Sequence, residues 1–271
     1  MSLPRFTSPE VDAYDAACIA LRERHVAGGQ CLTDIAYGPD GGHRLDIYLP
    51  REAGAAPLPV VLAFHGGGFT QGDQSWNAAF APAVLGAPAI LVAATYRHML
   101  SLDDRAPFED GRRALDWVRA HIAGHGGDPA RIFLAGHSAG GALATTVAFD
   151  TPDVAGVIAI STSFNRFAMT GTPGGGYDLP EGALPLTPDA PLPRLDSVEA
   201  LPPFFIAWGE RERQRARVER SSLAFAGRLA ERGVPVTVAI DSAADHFGTH
   251  LAFADSAHRW SAMLGAWIGD A

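Results

Sequence analysis

The chain of 271 residues contains no lysine, and arginine supplies all 21 of its basic residues. Lysine forms Schiff bases with carbonyl substrates and with pyridoxal phosphate, and it holds phosphates in P-loops, so these chemistries are excluded. The 30 acidic residues outnumber the basic ones, which gives a net charge of −9. This charge argues against nucleic acid and against anionic membranes as partners.

Cysteine is also scarce, because Cys18 and Cys31 are the only two. Their spacing fits neither a metal site nor a disulfide framework, although one bridge between them stays open. No apolar run approaches the ~20 residues that span a bilayer, and the first residues lack the basic start and apolar stretch of a secretory signal. We therefore expect a cytoplasmic protein with reduced thiols, without a metal or other cofactor, and with no membrane partner.

Apolar runs of strand length alternate with helical patterns along most of the chain. Strands are expected at 43–50, 58–64, 87–96, 131–136, 154–161, 202–209 and 234–240. Helices are expected at 8–29, within 103–129, and at 139–149, 216–232 and 256–268. Continuous apolar runs are typical of parallel strands buried on both faces. The sequence thus predicts an α/β fold with a doubly wound, mainly parallel sheet.

We expect a single domain over residues 1–271 that opens with a helical segment at 1–34. Residues 164–203 interrupt the alternation, because they are crowded with glycine and proline and show little periodicity. A loop this long inside a compact domain is usually functional or disordered. Its position between two core strands favours a lid or cap insertion over the functional site, with disorder as the alternative.

A single serine, Ser138, lies between Gly136 and Gly140 directly after an apolar strand. A strand that turns abruptly into a helix forces the turn residue into a strained conformation, and only very small neighbours let the two arms pass. The hydroxyl would then be exposed near a helix N-terminus, where negative charge is favoured. This arrangement suits a nucleophile, and the alternative is a tight turn with a small polar residue.

Three consecutive glycines follow another strand in the segment HGGGF, residues 65–69. Glycines at such a point let the backbone approach a ligand and direct N–H groups at it. The amides of Gly67 and Gly68, with that of Ala139 after the nucleophile, could form an oxyanion hole. The alternative is a tight glycine turn, and His65 is expected to orient this loop rather than to act as a base.

These motifs together resemble a known family. The segments HGGGF (65–69), YR (96–97) and GGDPARIFLAGHSAGGALA (126–144) resemble the α/β-hydrolase fold, and within it the HGGG-type esterases related to hormone-sensitive lipase and to kynurenine formamidases. The resemblance runs from about Ile35 to the C-terminus. It implies a serine hydrolase that cleaves small carboxylic esters. The alternatives are an arylformamidase-like amidase that cleaves N-formyl or N-acyl arylamines, and a non-catalytic hydrolase fold that binds a small molecule.

The family order of nucleophile, acid and histidine implies the two partners of Ser138. The acid usually follows a strand in the pattern G-x-x-D, and here Glu212 occupies the place of the aspartate, with Glu210 and Asp241 as alternatives. The histidine is expected in the loop after the last strand, where His246 is the better candidate. His250 is expected at a helix start or in the preceding turn, where it points to solvent or caps the helix.

Aromatic residues near these motifs are candidates for binding the substrate. The expected substrate-binding residues are Phe69, Trp76, His137, Phe164, Phe167, Tyr177 and Phe247. Such a wall favours short acyl groups and aromatic leaving groups, although the His137 side chain itself is expected to point away from the substrate. Surface positions are expected for His25, His43, His98, His121, His125 and His258. The sequence leaves the oligomeric state open between a monomer and a homodimer.

Overall fold

An eight-stranded sheet forms the centre of the described part of the chain. The computed structural model describes residues 7–51, 56–101, 104–165, 190–212 and 215–270. The strands are β1 (Cys31–Ala36), β2 (Arg44–Tyr48), β3 (Leu58–Phe64), β4 (Ile90–Ala94), β5 (Gly127–His137), β6 (Gly156–Ile160), β7 (Phe204–Gly209) and β8 (Val236–Asp241). Their order is β1-β2-β4-β3-β5-β6-β7-β8. Strand β2 is antiparallel to both of its neighbours, β1 and β4, and the six strands β3 to β8 are parallel to one another. The predicted doubly wound, mainly parallel sheet is confirmed.

Helices cover both faces of this sheet. They are α1 (Pro9–Ala27), α2 (Ala81–Gly86), α3 (Ala106–His121), α4 (Ala139–Asp150), α5 (Pro191–Arg194), α6 (Arg215–Glu231), α7 (Gly248–Leu251) and α8 (Arg259–Gly269). Short 3₁₀ segments lie at Gln74–Phe80, Ile122–His125, Leu195–Ser197 and Ala252–Ala254. Helix α1 begins as its sequence predicts, because the Ser8 hydroxyl accepts the amide of Val11 and Pro9 occupies the first turn.

Two hydrophobic cores separate the layers. Helices α3, α4 and α6 pack on one face of the sheet, and α1, α2 and α8 pack on the other. The central strands contribute apolar side chains to both cores, which explains why their sequences are apolar without alternation. No helix of the described residues has both the length and the apolar character needed to cross a membrane.

Strand β1 was not expected from the sequence, and it starts inside the segment 1–34 that we expected to be helical. Its residues are mostly exposed, and it lies at the edge of the sheet beside β2. An edge strand of this kind lacks the apolar run that marked the others.

In the expected lid, only 164–165 and 190–203 are described, and they include α5. The lid and the single domain stay predictions.

The carboxyl ends of four parallel strands bring the predicted site residues to one edge of the sheet. Strand β3 ends before the triple glycine, β5 before Ser138, β7 before Glu212 and β8 before His246. The strand register places these ends next to each other in pairs, since Phe64 of β3 lies beside Gly136 of β5, and Gly209 of β7 lies beside Asp241 of β8. Open α/β sheets bind ligands at this edge.

Candidate active site

Ser138 occupies a strained turn between β5 and α4. Its φ of 55° and ψ of −120° lie in a region that residues with side chains rarely adopt. A Cβ on Gly136 would overlap the backbone of Gly140, and a Cβ on Gly140 would overlap the carbonyl of Phe64. The small neighbours are therefore required by the close approach of strand and helix, as the sequence predicted. Ser138 itself remains partly exposed.

The triple glycine lies beside this serine. A Cβ on Gly66 would come within 3.4 Å of the Ser138 Cβ. Gly67 and Gly68 have φ of 91° and 60°, and a Cβ on Gly67 would overlap the Gln71 carbonyl. The glycines are thus required by the loop's conformation. Ala139 is the first residue of α4, where amides lack acceptors within the helix. Gly67 and Ala139 are partly exposed, whereas Gly68 is buried.

His65 is buried and contacts the glycine loop. Its ring is fully buried and stacks on Tyr96, with 4.1 Å between the ring centroids. Its Nδ1 bonds the carbonyl of Gly66, and the Tyr96 hydroxyl donates to the carbonyl of His65. Burial lowers the pKa of His65 to about 3, so this imidazole is neutral. The predicted orienting role agrees with this geometry.

Glu212 and His246 form a hydrogen-bonded pair. Nδ1 of His246 lies 3.1 Å from Oε2 of Glu212. The carboxylate side chain is fully buried, whereas the imidazole is 26% exposed. The other oxygen, Oε1, accepts the amide of Gly209 at 3.0 Å and the hydroxyl of Ser161 at 2.7 Å. Because Nδ1 faces the acid, Nε2 is the nitrogen left to serve a nucleophile.

The other two acidic candidates do not pair with His246. One oxygen of Asp241 accepts the amide of Ala243, and the other lies 3.2 Å from Nε2 of His258. The hydrogen bond from Ala243, together with the neighbouring His258, holds the pKa of Asp241 below its usual value. Glu210 is bonded through its backbone amide to the Asp241 carbonyl. The geometry therefore favours Glu212 as the acid.

His137 links the nucleophile turn to the histidine loop. Its Nε2 lies 2.7 Å from the carbonyl oxygen of His246, and the two rings are 4.6 Å apart. A carbonyl only accepts, so His137 carries its proton on Nε2. Burial, with the nearby His246 and His250, lowers the pKa of His137 well below its usual value. The side chain is 1% exposed and is thus buried between these two segments.

The prediction that His250 points to solvent or caps a helix was wrong. The residue is the third of the short helix α7 and is fully buried, not directed to solvent. Its Nδ1 lies 2.6 Å from the Tyr14 hydroxyl, and its ring stacks on His137 at 4.9 Å. Helix α1 covers this segment through Tyr14, and sequence patterns had given no sign of such a long-range contact.

His43 was also expected at the surface, and it is buried. Its Nε2 lies 2.9 Å from Asp110, which also accepts hydrogen bonds from the backbone and guanidinium of Arg97. Burial opposes the charge on Asp110, but the bonds from Arg97 and His43 outweigh it and lower its pKa. Arg97 follows Tyr96, so this cluster anchors the strand end that supports the glycine loop. The other five histidines expected at the surface are at least partly exposed.

The residues predicted to bind the substrate differ in their burial. Phe69 and Phe164 are fully buried in the core, where Phe164 stacks on Phe225 at 4.2 Å. Trp76 is 5% exposed and donates its indole N–H to Asp15. These three side chains face the core because apolar contacts take up their surface. Phe247 is partly exposed beside His246. Phe167 and Tyr177 lie outside the described residues.

Among the described residues, no group of three or more His, Cys, Asp or Glu side chains could hold a metal ion. Cys18 and Cys31 are free thiols, so the structure contains no disulfide bond between them. Burial raises the pKa of each thiol to about 12, so neither is a nucleophile at neutral pH.

The chain is similar in sequence to a known family and to carboxylesterases. The BD-FAE family model matches residues 45–168. The chain is 35% identical to the carboxylesterase NlhH of Mycobacterium tuberculosis over 187 residues, which cover 69% of this chain and 53% of NlhH. It is also 35% identical to probable carboxylesterase 7 of Arabidopsis thaliana over 42% of this chain and 40% of that protein. The chain therefore spans between two fifths and about half of these curated relatives.

Solved structures show the same fold. A hyperthermophilic esterase from Pyrobaculum calidifontis superposes with a TM-score of 0.72 at 23% identity, over 96% of this chain and 92% of that one. The esterase LipW from Mycobacterium marinum gives a TM-score of 0.74 at 23% identity, over 96% of this chain and 88% of that one. Together with the relatives in sequence, they confirm the predicted resemblance. The chain therefore has the α/β-hydrolase fold and is similar in sequence to carboxylesterases.

Proposed function

We propose that this protein is a serine hydrolase that cleaves small carboxylic esters, with Ser138, His246 and Glu212 as its triad. The observation that carries the proposal is the pair between Nδ1 of His246 and Oε2 of the buried Glu212, at the sheet edge where Ser138 stands in a strained turn. A histidine oriented in this way by a carboxylate is the arrangement that activates a serine hydroxyl.

The reaction follows from these positions. Nε2 of His246 takes the proton of Ser138 as Oγ attacks the ester carbonyl, and Glu212 stabilises the imidazolium that forms. The amides of Gly67, Gly68 and Ala139 are proposed to hold the negative oxygen of the tetrahedral intermediate. His246 then protonates the departing alcohol, which leaves an acyl-enzyme. Water, deprotonated by His246, releases the carboxylic acid and restores the serine.

The sequence leaves two other functions open. An amidase that cleaves N-formyl or N-acyl arylamines would use the same triad, but the relatives in sequence carry carboxylesterase names, which favours esters. A non-catalytic binding protein would have no need of the His246–Glu212 pair, and its presence argues against that function. Among the described candidates for substrate binding, Phe247 is partly exposed beside His246, and Phe167 and Tyr177 stay predictions.

A substrate panel tests the proposal. Nitrophenyl esters of increasing acyl length are assayed beside aryl formamides with the wild type and with Ser138→Ala. We expect ester turnover, greatest with acetyl to butyryl groups, and its loss by at least about a thousandfold in the variant. Turnover of formamides alone would favour the amidase. Undiminished turnover by Ser138→Ala would contradict the proposed nucleophile.

Two properties of the whole protein stay predictions. The free thiols of Cys18 and Cys31 agree with a cytoplasmic location, which cell fractionation would test. Size-exclusion chromatography with light scattering would distinguish a monomer from the homodimer that the sequence left open.

A further inference from the structure

Ser161 contacts the proposed triad acid from a strained position. It follows directly on β6, is 1% exposed, and has a φ of 50°. Residues other than glycine, asparagine and aspartate seldom adopt such a φ, and the strain costs free energy. The backbone is held there by the bond from the Ser161 amide to the Ala207 carbonyl. This conformation directs the hydroxyl to Oε1 of Glu212, at 2.7 Å.

The need for this contact comes from the length of the acid. A glutamate has one more methylene than the aspartate usual at this place, and therefore one more torsion that must be fixed before its carboxylate can face a histidine. Two donors hold Oε1, the amide of Gly209 and the hydroxyl of Ser161. With Oε1 held by both, Oε2 is directed at Nδ1 of His246.

A second hydroxyl continues the network to the histidine loop. Oγ1 of Thr249 lies 2.6 Å from Oγ of Ser161 and 2.7 Å from the carbonyl oxygen of His246. The hydroxyls of Ser161 and Thr249 have two protons for three short contacts, which join Ser161 to Glu212, Ser161 to Thr249, and Thr249 to the His246 carbonyl. The carboxylate is the strongest acceptor among them, so it takes the proton of Ser161. The His246 carbonyl also accepts from His137 and does not depend on Thr249. Ser161 is thus the member of the network that acts on the acid.

We propose that Ser161 is a positioning residue for catalysis, whose hydroxyl fixes Oε1 of Glu212 so that Oε2 orients His246. This inference rests on the proposed function, because it assigns a role within the same triad. The proposed role of the Ser161 hydroxyl differs from two structural roles that a buried serine could have. These are to fill space in the core and to adopt an unusual backbone conformation.

Two substitutions of Ser161 separate these roles. Ser161→Ala removes the hydroxyl and keeps the Cβ, whereas Ser161→Gly also relieves the strain at a φ of 50°. We expect both variants to lower kcat about 30-fold with KM within about twofold, since a hydrogen bond to a charged group is lost from the catalytic machinery and not from substrate binding. The Ser161→Gly variant should melt no lower than the wild type although its kcat falls.

Ser221→Ala is the matched control. Ser221 is equally buried, at 2% exposure, and its hydroxyl bonds the backbone at Val218 and Phe164 without contacting Glu212 or His246. The control should keep kcat within about twofold, as expected for a hydroxyl outside the catalytic unit. A 30-fold loss in this control as well would assign the effect to core disruption and overturn the inference.

A double-mutant cycle completes the experiment. If Ser161 acts through Glu212, adding Ser161→Ala to Glu212→Ala should lower kcat by less than about twofold. A further loss as large as in the wild-type background, or unchanged kcat in both Ser161 variants, would overturn the inference. If Glu212→Ala does not fold, the kcat of the folded Ser161→Gly variant decides alone. Loss of the proposed function would instead appear as full esterase activity in Ser138→Ala, whatever Ser161 does.

Discussion

The hydroxyl oxygen of Tyr14 lies 2.6 Å from Nδ1 of His250, so the first helix is bonded to the segment that carries His246. The Tyr14 ring also stacks on Phe247, with 4.7 Å between the ring centroids. Residues 246–250 are therefore held from two sides, by α1 through Tyr14 and by the nucleophile turn through His137. A helix at the start of the chain thus contributes to the position of a histidine near its end.

Replacing Tyr14 by phenylalanine keeps the stacking and removes the hydroxyl. Nδ1 of the buried His250 then loses its partner, and we expect the free energy of unfolding to fall by about 1–3 kcal/mol. Urea denaturation measures this. Tyr37→Phe is the control for kcat, because the Tyr37 hydroxyl bonds the Thr95 carbonyl away from His246. We expect a lower kcat only in Tyr14→Phe, and equal stability of Tyr14→Phe and wild type would contradict the assigned contact.

His246 and His250 differ by four positions and by their expected effects on the enzyme. His246→Ala should lower kcat by about a thousandfold or more while the fold is kept, because this partly exposed imidazole is the proposed base. His250→Ala should lower the free energy of unfolding by about 2 kcal/mol or more, since it opens a cavity and removes the imidazole that bonds the buried Tyr14 hydroxyl. Kinetics and urea denaturation of both variants test this, and the reverse pattern would move the base to His250.

Stability should depend on pH through three buried histidines. Burial lowers the pKa of His65 and of His250 to about 3, and that of His137 well below its usual value. In the unfolded chain these groups titrate near pH 6.5. Between about pH 3 and 6.5 the unfolded chain therefore binds more protons than the folded one, and the free energy of unfolding falls as the pH is lowered through this range.

Urea denaturation at pH 8, 6.5 and 5.5 checks this dependence. From these groups we expect a smaller loss between pH 8 and 6.5, about 0.4 kcal/mol per histidine, and a loss that approaches about 1.4 kcal/mol per histidine for each pH unit well below 6.5. His250→Gln cannot take up a proton at this position, so its slope should be smaller than that of the wild type. An unfolding free energy that is unchanged between pH 6.5 and 5.5 would contradict the burial of these imidazoles.

Gly67→Ala tests the conformation of the glycine loop. Its φ of 91° and the collision of a Cβ with the Gln71 carbonyl should displace the loop and lower kcat by about a hundredfold, as for the loss of an oxyanion donor. Gly86→Ala is the control, because a Cβ there would meet nothing within 4 Å. Wild-type kcat in Gly67→Ala would show that this loop does not support catalysis.

The sheet could be predicted from the sequence because its central strands are apolar on both faces, as at 58–64 and 90–94. Ser138 and the glycine loop could be predicted because the close approach of backbone segments there admits only glycine, which leaves a local pattern in the sequence. The exposed edge strand β1 has no such pattern. The burial of His250 and the role of Ser161 depend on contacts with Tyr14 and Glu212, which are distant along the chain. Such contacts leave no local periodicity that a single sequence could reveal.

Labelling of the nucleophile tests the central claim most directly. The wild type and the His246→Ala and Glu212→Ala variants are treated with an organophosphonate, and the modified peptide is identified by mass spectrometry. The account predicts one phosphonate on Ser138 in the wild type, at a rate that falls at least about a hundredfold in both variants, because each loses the activation of the hydroxyl. A label on another residue, or equal rates in all three proteins, would contradict the proposed triad.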